Sequence, residues 1–207
     1  MSIAQTYKIE TERLIIRCYE PADAKMLLDA ITISVEHLLP WMPWAKDEPA
    51  PIEDVINRLR YFRGQFDLGN DYIYGIFNKS EDELIGGTGL HTRIGKGAAE
   101  IGYWISAKHI NNGYATETVR ALTKVGFEIE QHSRIEIHCA PDNIRSMVIP
   151  QKLGYVHEAT LKKRTVDTDG NPRDTMIWTM FADGYENSSM KATTIKAFDI
   201  IGRKITL

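Results

Sequence analysis

Residues 101–130 read IGYWISAKHINNGYATETVRALTKVGFEIE. The apolar run 101–105 has strand character and leads into a polar turn. That turn opens directly into an amphipathic helix, with Ala115, Val119, Leu122, Val125 and Ile129 on its inner face. A turn of this kind gathers several backbone N–H groups at the positive end of a helix dipole, a place for phosphate oxygens. Asn and Gly also suit an ordinary strand-to-helix turn, so the stretch alone leaves both readings open.

Working outward, residues 134–139 (RIEIHC) form a strand. Ile135, Ile137 and Cys139 share one face, and Arg134, Glu136 and His138 the other. Strand, helix and strand in that order predict a right-handed parallel crossover. Asn143 is a good helix N-cap, and residues 144–153 make a short helix closed by Gly154. Asn143 and Ser146 thus stand at the C-terminal end of a parallel strand, where ligands of such sheets collect; an N-cap and a helix-surface serine are the plainer reading.

Upstream, residues 72–77, 83–92 and 98–105 read as an antiparallel meander with short polar turns. Gly86, Gly87 and Gly89 in one strand predict a bulge, or close approach of another backbone or a ligand. Residues 52–66 carry the cleanest helical pattern, with Ile52, Val55, Ile56, Leu59, Phe62 and Phe66 on one face. Residues 11–18 (TERLIIRC) read as a strand. A helical stripe then runs from Pro21 to Leu39, broken near 32–34. The segment 39–51, with four prolines and two tryptophans, is neither a regular helix nor a central strand. Downstream, residues 156–161 or somewhat beyond, and 174–181, pair around a turn at 168–173; the tail 187–207 is polar, then weakly amphipathic.

The 207 residues fit one domain, 1–207, large enough for a full core. A net charge of −3 gives no general field for nucleic acid, so no direct nucleic-acid binding is expected. No apolar run long enough to span a bilayer and no leader segment is read, which predicts no membrane partner. The two cysteines, Cys18 and Cys139, form no C-x-x-C pair, so neither a metal site nor a disulfide framework is expected, and the setting is cytoplasmic.

Thr11-Glu-Arg-Leu14, Trp41-Met-Pro-Trp44, Gly89-Leu-His91, Ala99-Glu-Ile-Gly-Tyr-Trp-Ile105, Gly113-Tyr-Ala-Thr-Glu117 and Asn143-x-x-Ser146, ending in Leu153-Gly-Tyr155, occur in that order. Together they resemble the GNAT acetyltransferases, and more narrowly the RimJ/RimL-like ribosomal-protein N-terminal acetyltransferases, over residues 9–185. The resemblance implies an α/β (α+β) GNAT fold: a mixed, mostly antiparallel central sheet with a splayed parallel strand pair and flanking helices, the tail lying outside the core.

It implies further that acetyl-CoA lies in the splay between strands 101–105 and 134–139. Main-chain groups of Trp104, Ile105 and Ser106 would pair with the pantetheine arm. Amides of Asn111, Asn112, Gly113, Tyr114, Ala115 and Thr116 would hold the pyrophosphate, and Asn143 would reach the thioester end. Two departures stand out. Ile110 occupies the place of a family Gln or Arg, and Pro150 that of a tyrosine that protonates the departing thiolate. Ser146 is the expected substitute acid. Pro150 should bend the helix and leave the Ser146 carbonyl free for water or ligand.

The expected reaction is attack of a neutral amine on the thioester, with a main-chain N–H near the end of the Trp104 strand facing the oxyanion. An α-amine titrates near pH ~8 and a lysine near ~10.4, so a protein N-terminus needs only a weak base. Glu100 is the first candidate base and His91 the second; an ion-paired strand residue is the alternative for Glu100. His37, His109, His132, His138 and His157 show no ligand spacing and read as structural. Trp41 and Trp44 are candidate walls for the acceptor, with core filling the plainer reading for one of them. Asp47 and Glu48 read as solvated loop charges, the alternative being that they draw a cationic amine. The acceptor is expected to be a protein N-terminus. A small amine such as a polyamine, an aminoglycoside or an amino-acid derivative is the rival, and a non-catalytic CoA-binding regulator the rival of another class. An edge strand or the tail offers a route to a homodimer.

Overall fold

The structure is a computed structural model, and the residues it describes are 6–206. The expected span 1–207 begins five residues earlier and ends one later, and those residues lie outside the described ones. Strand β1 (Lys8–Glu10) turns into β2 (Ile15–Cys18). The expected strand over 11–18 is therefore shorter. Thr11 N donates to Leu14 O at 3.0 Å and Leu14 N to Thr11 Oγ1 at 2.9 Å, which folds 11–14 into a turn. Leu14, Ile16 and Cys18 are buried.

A turn at Pro21–Asp23 leads into helix α1 (Ala24–Thr32) and the single turn α2 (Val35–Leu38). The break falls where the Ser34 hydroxyl donates back to Ala30 O at 2.6 Å. The proline-rich segment holds only a 3₁₀ turn, Pro43–Asp47, before helix α3 (Ile52–Asp67). Strands β3 (Tyr72–Phe77), β4 (Leu84–His91) and β5 (Ala98–Ile105) form the expected meander. Helix α4 (Tyr114–Glu128), strand β6 (Arg134–Cys139) and helix α5 (Ile144–Lys152) follow. The long hairpin β7 (Val156–Val166) and β8 (Pro172–Phe181), the short helix α6 (Ala182–Glu186), and strands β9 (Lys196–Phe198) and β10 (Lys204–Ile205) complete the chain.

The described strands make one sheet in the order β10-β9-β1-β2-β3-β4-β5-β6-β8-β7. Every pairing is antiparallel except β5 with β6. That parallel pairing spans only Ala98, Ala99 and Glu100 against Arg134, Ile135 and Glu136; beyond them the two strands part. Both faces of the sheet are covered. Val119, Leu122 and Val125 of α4 bury one, and Leu27 and Ile31 of α1 with Val55 and Leu59 of α3 bury the other. Each such side chain contributes about 1.5–3 kcal/mol on leaving water. The tail is part of this architecture: β9 pairs with β1, and Met190 and Ala197 are fully buried.

Candidate active site

Where β5 and β6 part, a cavity of about 660 Å³ passes through the sheet. On the α1/α3 side it is lined by Trp104, Trp44, His91 and Glu100, and on the α5 side by Tyr103, Asn143 and Ser146. The main chain of β5 is sided. Ser106 N donates to Ile85 O at 2.8 Å and Thr88 Oγ1 to Gly102 O at 2.7 Å, so the polar groups of Gly102, Trp104 and Ser106 turn toward β4. By strand alternation those of Tyr103 and Ile105 turn toward the splay. Of the expected set Trp104, Ile105 and Ser106, only Ile105 turns its main-chain groups toward the splay, as Tyr103 does, and Ser106 is fully buried. The Trp104 indole instead enters the cavity wall, 6.1 Å from Trp44 in a T-shaped contact. Trp41 lines the same wall beneath the Arg173 guanidinium.

The glycines of β4 find their reason here. A Cβ at Gly87 would lie 2.5 Å from Trp104 Nε1, and one at Gly89 2.5 Å from His91 Nε2. Gly89 and its partner Gly102 clear a floor over which the imidazole lies. His91 Nδ1 meets Asp71 Oδ1 at 2.8 Å. An ionised carboxylate only accepts, so Nδ1 is the nitrogen that carries a proton here, and in the neutral ring Nε2 presents a lone pair.

Glu100 has a different environment. Arg93 grips both of its oxygens, Nε to Oε2 at 2.9 Å and Nη2 to Oε1 at 2.8 Å. Burial pushes this carboxyl upward, but Arg93, with His138 and His91 nearby, holds it below the usual range. It is the ion-paired alternative, and a weak proton acceptor. His138, read as structural, lies between two buried carboxylates, with Nε2 2.7 Å from Glu136 and Nδ1 3.7 Å from Glu100. Glu48 is not a solvated loop charge either. Its side chain is 1 % exposed and pairs with Arg58 at 2.5 Å.

Helix α5 carries Pro150 inside it. Its missing N–H does free the Ser146 carbonyl, but that oxygen is not left for water or ligand. Tyr103 Oη donates to it at 3.2 Å and also lies 3.0 Å from Ser146 Oγ. Burial raises the Tyr103 phenol far above its ordinary range, so it stays protonated. Asn143 caps the helix by accepting from Ser146 N at 3.1 Å, which leaves its amide N–H₂ for a ligand. Cys139, beside Ser146, is pushed up to about 11 by burial and stays a thiol.

The turn before α4 is exposed and curled. Asn111 and Gly113 both adopt the left-handed conformation, at φ 65° and 78°. Among the described residues, the amides of Asn111, Asn112, Gly113, Tyr114, Ala115 and Thr116 donate to no protein acceptor; Glu117 N, bonded to Gly113 O at 3.0 Å, is the first to close. The site missed in the sequence is thus Tyr103, Asp71, Arg93 and His138. Tyr103 and His138 come from strands, and Asp71 and Arg93 from the connections that flank β3 and β4; only the glycine pair Gly89 and Gly102, next to His91 in the sheet, signalled that a ring had to be accommodated.

A family model described as an acetyltransferase (GNAT) domain matches residues 13–156. The chain belongs to the GNAT acetyltransferase family. As a GNAT protein it is an N-acetyltransferase, and relatives agree. It is 28% identical over 173 residues to the uncharacterized N-acetyltransferase YoaA of Bacillus subtilis, covering 83% of this chain and 95% of that one. It is 27% identical over 177 residues to the [ribosomal protein uS5]-alanine N-acetyltransferase of Escherichia coli, covering 82% and 88%. The fold matches that of Mycobacterium smegmatis RimJ, solved in complex with CoA-disulfide, with a TM-score of 0.76 at 23% identity over 86% of each chain. The GNAT cosubstrate fits what is present: a splay with free main-chain groups, a turn with six free amides and a cavity reaching through the sheet. Among the described residues no group of His, Cys, Asp and Glu suits a metal ion, and no helix is long and apolar enough to cross a membrane.

Proposed function

We propose that this protein transfers the acetyl group of acetyl-CoA to a protein N-terminal α-amine, in the cytoplasm, within one domain. The observation that carries the reading is the cavity that joins the two sides of the splay. His91 and Ser146 both line this one opening, which supports an acceptor approaching past the imidazole and a cofactor lying beside Ser146. The uS5-alanine acetyltransferase relative supports an N-terminal acceptor.

Acetyl-CoA supplies the activated acyl group. Main-chain groups of Tyr103 and Ile105 would hold its pantetheine arm, the amide N–H₂ of Asn143 its thioester end, and the amides of residues 111–116 its pyrophosphate. An N–H of Tyr103 or Ile105 would be the main-chain donor available to charge developing on the carbonyl oxygen. His91 Nε2 takes the proton of the attacking amine, and Asp71 holds the tautomer that makes this possible. Glu100 keeps Arg93 and His138 in place as a fixed anion. Ser146 Oγ, paired with the Tyr103 phenol, holds a proton for the leaving sulfur. Trp41, Trp44 and Trp104 wall the acceptor.

A small amine is the second reading, favoured by the roof of the cavity. Arg173 donates to Pro40 O at 2.7 Å and Lys46 to Thr168 O at 3.1 Å, so the hairpin tip closes on the tryptophan loop. Thiol release from acetyl-CoA, measured with N-terminal peptides against polyamines, aminoglycosides and amino-acid derivatives, decides between them. Turnover is expected with the peptides. Turnover only with small amines gives the second reading, and tight CoA binding without turnover on any amine makes the protein a regulator.

A further inference from the structure

Residues 110–116 hold no basic side chain, Lys108 and His109 lying just before them: Ile110 opens the turn, and Glu117 adds a carboxylate to the first turn of the helix, beside the free amides. A negative charge there opposes a diphosphate. The compensating charge arrives from about a hundred residues away. Arg13, in the turn between β1 and β2, donates from Nε to Glu117 Oε2 at 2.7 Å and pairs through Nη2 with the same oxygen at 2.6 Å. Nη1 donates to Asn112 O at 3.0 Å, and the guanidinium lies over the Tyr114 ring, 4.7 Å from its centroid.

A guanidinium has five N–H groups in a fixed fork. Three are engaged here, which leaves one on Nη1 and one on Nη2. The side chain is 44% exposed, and Nη2 lies 3.6 Å from the point a Cβ at Gly113 would occupy. The missing side chain therefore leaves open the space between the free fork and the loop amides. The turn that carries Arg13 is fixed in advance. Arg13 N donates to Glu117 Oε1 at 3.0 Å and Thr11 Oγ1 to the same oxygen at 2.6 Å, so little order is lost on binding.

We propose that Arg13 is a ligand of the CoA pyrophosphate, supplying from a distant turn the cationic grip absent at position 110. This rests on the reading that CoA occupies the splay. Glu117 then has two effects of opposite sign, orienting Arg13 and competing with the phosphates for it.

Calorimetric titration of CoA and of 3′-dephospho-CoA into the wild type, Arg13→Gln and Glu117→Gln tests this, with thermal melts as the folding control. Arg13→Gln is expected to weaken both ligands alike, by about tenfold, at an unchanged melting temperature. Glu117→Gln is expected to tighten both, because it removes the competing charge while Gln can still accept from Thr11. A role as a loop clamp alone would make Glu117→Gln weaken binding as Arg13→Gln does, and that result overturns the proposal. So does an Arg13→Gln effect confined to CoA, which would place the guanidinium on the 3′-phosphate, and so does no effect on either ligand. A wild type that binds neither ligand overturns the CoA reading, and the role of Arg13 with it.

Discussion

His91 and Glu100 face each other across β4 and β5, yet their neighbours give them opposite properties. Glu100 shares its charge with Arg93, whereas His91 donates to Asp71 and keeps Nε2 open. Asp71→Asn should therefore act on rate rather than on binding. An amide can donate to Nδ1, which moves the imidazole proton to Nε2 and removes the acceptor. A fall in kcat of about 10²–10⁴-fold with unchanged acetyl-CoA affinity is expected, and steady-state kinetics beside calorimetry measures it. An unaltered kcat would take His91 out of the mechanism. Gly89→Ala should produce a similar loss in a folded protein, because its methyl would occupy the position of the ring.

At the scale of the element, α5 shows how a broken rule is compensated. Pro150 removes one helix hydrogen bond, and a phenol from β5 takes the orphaned carbonyl. Tyr103→Phe should cost about 1–2 kcal/mol in urea unfolding, because it leaves a half-buried acceptor unsatisfied. In a Pro150→Ala background the restored amide can bond Ser146 O, and the cost of Tyr103→Phe should fall by more than half. Equal costs in the two backgrounds would show that the phenol's contribution does not run through the Ser146 carbonyl.

For the molecule as a whole, the tail and the acid limb of stability carry the testable consequences. Removing residues 194–207 strips β9 from β1 and exposes the edge beside Ile9, together with the place of Ile195 and Ala197. A loss of about 2–4 kcal/mol and a tendency to associate through the bared edge are expected in unfolding and light-scattering experiments. His132 is pushed down by burial, and its Nε2 has no partner among the described residues. The unfolded chain therefore takes up that proton first, and stability is lost as pH falls through ~6.5. Glu100 and Glu81, both held down by basic neighbours, contribute stability that is complete above ~4.3 and lost as pH falls through their lower folded values. Urea midpoints measured across this range should fall in two stages, and His132→Leu should flatten the upper one.

Periodicity and punctuation were enough to place the meander, the crossover helix, the parallel pair and the two helices that cover the other face. Those signals are local: a strand repeats every second residue and a helix about every 3.6, and Gly, Asn and Pro mark where each stops. The turn at 111–116 and Asn143 were legible for the same reason. The partners were not. Asp71 beside His91, Arg93 around Glu100, Tyr103 on Ser146 and Arg13 on the turn before α4 are pairings from a loop to a strand, from a strand to a helix, or between turns about a hundred residues apart. No periodicity encodes them, because they depend on which strands the sheet sets side by side. The stretch 101–130 thus determined where a turn of free backbone amides opens a helix and that a crossover follows it. Only the tertiary structure decided which side chain is left able to accept a proton, since that is set by neighbours and burial.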